Sequence, residues 1–172
     1  MRKSLLITFL LLVTCLTARA QRFALIDMEY ILRNIPAYES ANQQLEQSSK
    51  QWQAEVDKLA GEAKSMYEAY QKEASTLTDA QLTAKEEAIV NKETELAELR
   101  RKYFGPEGEL AKLQARLMRP LQDEIYEAVK EIATAKGYAV VTDRASATSI
   151  IFASPEIDIS DEVLAKLGYS HR

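Results

Sequence analysis

A stretch of nearly a hundred residues with almost no turn chemistry most constrains how this chain folds. From Tyr38 to about Ala135, most apolar residues recur at steps of three or four. In the second half they fall seven apart at Leu82, Ile89, Leu96, Tyr103, Leu110 and Leu117. This spacing forms an apolar seam along one side of a helix, as in coiled coils. The stretch therefore predicts long helices rather than strands.

A short polar cluster divides this stretch into two helical halves. Residues 75–79 are polar apart from Leu77, and Thr78 to Gln81 have the form of a capping box, which places a helix start at Asp79. We therefore expect a helical-hairpin coiled-coil arm over residues 37–136, with its tip near 75–79.

Glycine and proline interrupt both halves of the predicted hairpin. Gly61 lies inside the first arm, where it weakens a helix, and residues 104–108 include Pro106, which cannot donate to the helical ladder. The seam keeps its phase across Pro106, so a kink is expected there rather than a loop. Pro120 predicts a second interruption. These points are candidate hinges, although at Gly61 a glycine that the helix simply tolerates is the favoured interpretation.

The first twenty residues have the pattern of a secretory signal peptide. Arg2 and Lys3 precede an apolar run from Leu5 to Val13, and residues 18–20 read Ala-Arg-Ala, which predicts cleavage after Ala20. An uncleaved anchor and a lipoprotein modified at Cys15 are alternatives. The run is short for a membrane span, and the residue before Cys15 is a threonine.

Cleavage after Ala20 would leave a mature chain without cysteine, and hence without disulfide or thiol chemistry. It also removes three basic residues, which takes the formal charge from −4 to −7. This acidic balance argues against nucleic acid as a partner.

The two ends of the mature chain predict a small β/α body from residues 21–36 and 137–172. Strands are expected at 22–27, 138–142 and 149–153, with a short helix after Asp27 and another after Ser160. Three short strands leave open edges and a thin core, so we expect closure with other subunits. The candidate oligomerisation residues are Phe23, Leu25, Val140, Val141, Ile150 and Ile151.

No catalytic, cofactor or metal site is predicted. The single histidine, His171, is the penultimate residue, and the chain has no glycine-rich phosphate loop. The carboxylates of residues 86–87, 93 and 95 are interpreted as a solvated helix face, because no histidine joins them. We therefore expect a protein that is not an enzyme and holds no cofactor.

With arm and body laid out, the chain resembles the Skp/OmpH-like family of periplasmic chaperones. The resemblance spans about residues 22–169. It lies in the order of five motifs around a long hairpin, at Phe23–Met28, Asn34–Pro36, Tyr138–Asp143, Ile150–Ser154 and Ile159–Leu164.

The resemblance implies a homotrimer whose subunits join their strands in a barrel-like body, with the arms around a cavity. It also implies an ATP-independent holdase that keeps unfolded outer-membrane proteins in that cavity within the periplasm. Many weak contacts from several arms can hold a client tightly and still release it. The candidate client contacts are Met66, Tyr67, Tyr70 and Phe104.

The charge of the arms departs from the strongly basic members of that family. Residues 37–104 hold nine Lys or Arg against thirteen Asp or Glu, and the one basic cluster matched is residues 100–102. Lipopolysaccharide binding is therefore doubtful for this chain, and apolar and aromatic contacts must contribute more to holding.

A second function class fits the same seam. An oligomeric coiled-coil scaffold or spacer of the cell envelope needs the same hairpin, because the seam does not say what the outer surface touches. Promiscuity separates the two classes: a holdase protects several unrelated unfolded proteins, whereas a scaffold binds one folded partner.

Overall fold

A computed structural model describes residues 22–147 and 149–169 of the chain. The elements in order are β1 (Arg22–Ile26), α1 (Met28–Arg33), α2 (Pro36–Glu73), α3 (Asp79–Phe104), α4 (Glu109–Lys136), β2 (Tyr138–Asp143) and α5 (Ser160–Lys166). Short 3-10 turns lie at Ala74–Thr76 and Pro155–Ile157. The expected signal peptide, Cys15 and His171 lie outside the described residues.

The described chain forms two compact units. Residues 35–124 make one, called here the hairpin unit, and residues 22–34 with 125–169 make the other, called here the sheet unit. Each unit has its own buried apolar residues. None of the described helices is long and apolar enough to cross a membrane.

The helix starts in the hairpin unit follow local sequence signals. Pro36 stands at the first position of α2, where its missing N–H costs nothing. At the start of α3, the Thr78 backbone N–H donates to Gln81 Oε1 at 3.0 Å, within the capping box that the sequence predicts. The predicted start of this helix at Asp79 is confirmed.

The structure differs from expectation at both interruptions predicted in the second half of the hairpin. At residues 105–108 the helix breaks fully: α3 ends at Phe104 and α4 begins at Glu109. The kink expected there is wrong: α3 closes with the helical bond from Gly105 N to Arg101 O at 3.0 Å, and a turn closed by the bond from Gly108 N to Gly105 O at 2.9 Å follows it. In contrast, α4 continues through Pro120.

The sheet unit is built on two parallel strands. β1 and β2 pair from Phe23 opposite Val140 to Ile26 opposite Asp143, with an irregularity before Phe23. Gly137 connects α4 to β2 with φ of +69°, a conformation that glycine adopts without strain. Asp27 caps α1 by accepting from the Tyr30 N–H at 2.9 Å, as the sequence predicts.

The third strand expected at 149–153 is wrong for the single chain. Residues 150–153 have no strand pairing, and Ile151 is fully exposed. The β1 edge that the returning chain reaches is bridged instead by Asp158, beside a bond from Ile159 N to Leu25 O of 2.9 Å. A strand needs a neighbour, and within one chain this segment has none.

Candidate functional surfaces

Polar contacts join α2 to α3 at three levels along the hairpin unit. Lys92 Nζ lies 3.4 Å from Glu62 Oε2, and Tyr103 Oη donates to Glu55 Oε2 at 2.5 Å. Lys85 pairs with Glu73 nearer the turn. From pair to pair, the residue number on α2 increases while the residue number on α3 decreases. The two helices are therefore antiparallel.

An aromatic cluster packs the far end of this helix pair. The Trp52 and Tyr103 rings stack with centroids 5.2 Å apart and planes 10° apart, and Phe104 meets Tyr103 edge-on at 6.4 Å. Tyr103 is buried, and its hydrogen bond to Glu55, then burial, raise its pKa. Phe104 is half-buried, so this candidate client contact also has a packing role.

The other candidate contacts lie nearer the turn of the hairpin unit. Tyr67 is 49% exposed, whereas Met66 and Tyr70 are half-buried. The Tyr70 hydroxyl donates to Glu86, and this bond is the main cause of its raised pKa. Tyr67 is thus the candidate whose ring is most available to a partner.

Sequence reasoning missed Val90, which is 59% exposed on α3. The signal was present: Val90 directly follows Ile89, a buried seam residue, and an apolar neighbour of a seam position lies off the seam. Val90 and Tyr67 together give the hairpin unit exposed apolar surface on both helices of the pair.

The basic cluster of residues 100–102 lies beside the helix break and is not a free cationic patch. A groove of about 540 Å³ at the break is lined by Arg101, Lys102 and Lys112, but also by Glu98, Glu107 and Glu109. The mixed lining offers no concentrated positive charge to an anionic ligand.

In the sheet unit, the candidate oligomerisation residues divide by exposure. Phe23 is 53% exposed and Val140 47%, while Ile151 is fully exposed. Val141 and Ile150 are half-buried, and Leu25 is in the core. Phe152, which the candidate set omitted, is 84% exposed. The sheet unit therefore exposes several large apolar side chains that a partner could cover.

Arg144 ties together the loops at one end of the sheet. Its guanidinium lies 3.1 Å from Asp27 Oδ2 and 3.2 Å from Asp158 Oδ2. Asp158 Oδ1 in turn accepts from the Ser160 N–H at 2.9 Å, at the start of α5. This network joins β1, β2 and α5. Within the described residues, no three His, Cys, Asp or Glu side chains are placed to hold a metal ion.

Asp143, at the end of β2, gives the sheet unit a predicted pH dependence. Burial raises the pKa of Asp143, but hydrogen bonds from the Met28 and Ala145 N–H groups and from Ser146 outweigh it and hold the pKa below its usual value. Such a group stabilises the fold above its unfolded pKa of about 3.9, and that contribution is lost as pH falls through the lower folded value. We expect Asp143→Asn to lower the free energy of unfolding at pH 7.

The gap between wild type and Asp143→Asn should narrow below about pH 4, as measured by urea denaturation from pH 3 to 7. Asp123→Asn, at an exposed position of α4, is the control and should change little across this range. A gap that stays constant with pH would show that Asp143 does not contribute through its charge.

Comparison with known proteins shows which family the chain resembles. The family model described as "Outer membrane protein (OmpH-like)" matches residues 22–167. A chaperone protein Skp from Yersinia enterocolitica is 24% identical over 151 residues, which are 88% of each chain. A solved OmpH-like structure from Caulobacter crescentus superposes with a TM-score of 0.65 at 15% identity, over 86% of this chain and 84% of that one.

The family match runs from β1 through the hairpin unit to α5, so it includes both units and every surface described above. The similarity to the Caulobacter crescentus structure confirms the mostly helical fold. The resemblance to Skp/OmpH-like proteins is confirmed: the chain belongs to the OmpH-like family.

Proposed function

We propose that this protein is an ATP-independent holdase chaperone of the periplasm that binds unfolded outer-membrane proteins. The match of the OmpH-like family model across residues 22–167 carries this proposal, and the chaperone Skp relative supports it over 88% of the chain. In this proposal residues 1–20 direct export and are removed, and the protein is a binding protein rather than an enzyme.

The proposed working form is a homotrimer. Residues 21–36 and 137–172 form its body, and residues 37–136 of each subunit form an arm beside a shared cavity. The exposed apolar side chains Phe23, Val140 and Ile151 support an assembly through the body. Fully burying an exposed side chain such as Ile151 contributes about 1.5–3 kcal/mol, and Phe23 and Val140, which are half-buried already, would contribute less. Three arms then act together on one client, which raises the affinity without any strong single contact.

Client contact in this proposal is mainly apolar. Tyr67 and Val90 are the most exposed apolar side chains of the hairpin unit, and Met66, Tyr70 and Phe104 add half-buried surface. Acidic residues outnumber basic ones in residues 37–104, and the groove at residues 100–102 is lined by both charges. Holding should therefore depend weakly on salt, and lipopolysaccharide is not a proposed ligand.

The test is a light-scattering mass of the chain produced from Gln21, alone and after mixing with a urea-diluted outer-membrane barrel protein. We expect the mass of a trimer alone, and then a soluble complex with one unfolded barrel. Raising the salt from about 0.1 to 0.5 M should change holding little, because apolar contacts are not screened. A steep loss with salt would contradict apolar capture.

A matched pair of variants places the contact on the arm. Tyr67→Ala should weaken holding of the barrel, whereas Gln71→Ala, an exposed polar position one turn further along α2, should not. Equal holding by both variants would remove Tyr67 from the contact surface. An oligomer that leaves several unfolded barrels to aggregate, yet binds one folded envelope protein, would favour the coiled-coil scaffold instead.

A further inference from the structure

The contacts between α2 and α3 mark one side of the hairpin unit. Glu62 Oε2 lies 3.4 Å from Lys92 Nζ, and Glu55 accepts from Tyr103 Oη further along. Each of these two glutamates directly precedes a buried residue of α2, and successive residues of a helix are turned by about 100°. Both glutamates therefore lie on the same side of the buried seam. This side, with Lys92 and Tyr103, is called here the polar flank.

Val90 lies on the other side of the seam on α3. The buried seam residue here is Ile89, which Val90 follows by one residue and Lys92 by three. One residue turns a side chain by about 100° in one direction, whereas three residues leave it about 60° short of a full turn, in the opposite direction. Since Lys92 belongs to the polar flank, Val90 points away from that flank.

Tyr67 lies on the matching side of α2. It follows the buried Ala63 by four residues, whereas Glu62 precedes Ala63 by one, so Tyr67 and Glu62 are turned to opposite sides. The contacts that bracket Tyr67 on α2, made by Glu62 and Tyr70, end on α3 at residues that also bracket Val90. Tyr67 and Val90 therefore lie at the same level on the side opposite the polar flank, called here the apolar flank.

Carboxylates surround Val90 on the apolar flank. Glu86 and Glu87 precede it by one turn of α3 and Glu93 follows it by one turn, and all three are exposed. Within residues 22–147 and 149–169, no Lys or Arg forms an ion pair with any of the three. Glu86, Glu87 and Val90 share a groove of about 430 Å³. This surface thus has an apolar centre with negative charge around it that no cation balances.

An extended chain can contact both helices of this flank at once. Packed helix axes lie about 8–10 Å apart, which about three residues of an extended chain span. Residues two positions apart in such a chain share a face and lie about 7 Å apart, so a side chain against Val90 brings its second neighbours near Glu87 or Glu93. On α2, the lysine of this flank, Lys64, is paired with Glu68 at 3.8 Å and would repel an approaching cation only weakly.

Unfolded outer-membrane barrel proteins contain segments of suitable chemistry. Their strands alternate apolar and polar residues and carry aromatic residues at both membrane interfaces, where a Lys or Arg on the lipid-facing side costs least. An aromatic residue with a cation two positions away is therefore expected near the ends of their strands.

We propose that the apolar flank binds extended client segments in which Lys or Arg stands two positions from an aromatic or aliphatic residue. The apolar side chain contacts Tyr67 and Val90, and the cations meet the carboxylates around Val90. A segment with Asp or Glu at those positions brings like charges together and binds less tightly. This inference rests on the proposed function and names the class of client segment that the arm selects.

Two fluorescent peptides, Lys-Ser-Phe-Ser-Val-Ser-Lys and Glu-Ser-Phe-Ser-Val-Ser-Glu, test the selection by fluorescence anisotropy on the chain produced from Gln21. The lysine peptide should bind at least about threefold more tightly, because each exposed ion pair contributes modestly. Raising the salt from about 0.1 to 0.5 M should bring the two affinities together while holding of a whole barrel changes little, since only the ion pairs are screened. Equal affinities at low salt, or no binding of either peptide, would overturn the proposal.

Charge reversal on the flank separates local selection from net charge. Glu87→Lys combined with Glu93→Lys should remove the preference for the lysine peptide. Asp123→Lys combined with Glu124→Lys changes the net charge equally at exposed positions of α4 and should retain the preference. Loss of the preference in both double variants would show that net charge, rather than the apolar flank, selects the peptide, and the proposal would then be wrong.

A thiol-reactive dye tests which flank a whole client contacts. The chain produced from Gln21 has no cysteine, so Val90→Cys and Ala88→Cys each give a single labelling site. Ala88 is also exposed but directly precedes Ile89, on the polar flank. When a urea-diluted barrel protein is held, the emission of the dye at residue 90 should shift to the blue and that at residue 88 should not.

The outcomes of the dye experiment separate this inference from the proposed function. Equal shifts at residues 88 and 90 would show that the client has no preferred flank and would overturn the inference. A barrel that is left to aggregate, with the peptide preference intact, would contradict only the proposed holding of unfolded barrels.

Discussion

Replacing Gly108 with alanine is expected to lower the free energy of unfolding of the hairpin unit by about 1–3 kcal/mol, the usual cost of forcing atoms into a filled site. A Cβ at this position would lie 2.8 Å from Tyr103 O, 2.9 Å from Gly105 N and 2.9 Å from Lys102 O. All three atoms belong to the backbone. No side-chain rotation can relieve the contact, so the turn itself must move.

The matched control is Gly61→Ala in α2, where no atom beyond the local backbone of the helix lies within 4 Å of the added Cβ. Alanine is favoured over glycine inside a helix by about 1 kcal/mol, so this variant should be more stable than wild type. Urea denaturation at one fixed protein concentration compares the two, because assembly makes stability concentration-dependent. Changes of the same sign in both variants would contradict the close approach at Gly108.

The Gly108→Ala and Gly61→Ala variants also test whether the two glycines act as hinges of the hairpin. The tight turn at Gly108 links α3 to α4 through the bond from Gly108 N to Gly105 O and that from Lys112 N to Gly108 O, at 2.9 and 3.0 Å. A turn closed this way is a specific structure rather than a loose joint. If Gly61→Ala stabilises α2 and leaves client holding unchanged, Gly61 is a tolerated glycine and not a hinge.

Local signals in the sequence predict the helix ends well. Asp27 before α1 and the capping box at Thr78 act through hydrogen bonds within three residues, so both can be inferred from neighbouring letters. The helix break at residues 105–108 is harder to predict. The apolar seam continues across it, and the sequence does not reveal that Gly105 caps α3 and that Gly108 closes a turn after it.

The pairing of strands that are distant in the sequence could not be predicted from the sequence. β1 and β2 lie at opposite ends of the described chain, and nothing near either strand specifies that they pair in parallel. The apolar run around Ile151 predicts a third strand, yet strand formation depends on a partner that the single chain does not supply. The same limit applies to the exposed surfaces, since the exposure of Val90 and Phe152 depends on what packs around them.

Replacing Ile31 with alanine is expected to have the largest effect, a loss of about 2–5 kcal/mol in the stability of the sheet unit. Ile31 is fully buried in α1, which packs against α5, where Val163 and Leu164 are also buried. Removing its side chain loses apolar contact and leaves a cavity. The core of this unit is small, so a loss of this size is a large share of the 5–15 kcal/mol typical of a whole domain.

The expected readout is local, because the hairpin unit has its own core at Val56, Leu59 and Ile89. Amide hydrogen exchange should therefore show lost protection in α1, α5 and β1 of Ile31→Ala while α2 and α3 keep theirs. Val90→Ala, at an exposed position of α3, is the control and should stay within about 0.5 kcal/mol of wild type. If Ile31→Ala costs no more than this control, Ile31 does not anchor the sheet unit. If protection is lost equally in α2, the two units unfold as one, and the stability of the arm then depends on the body.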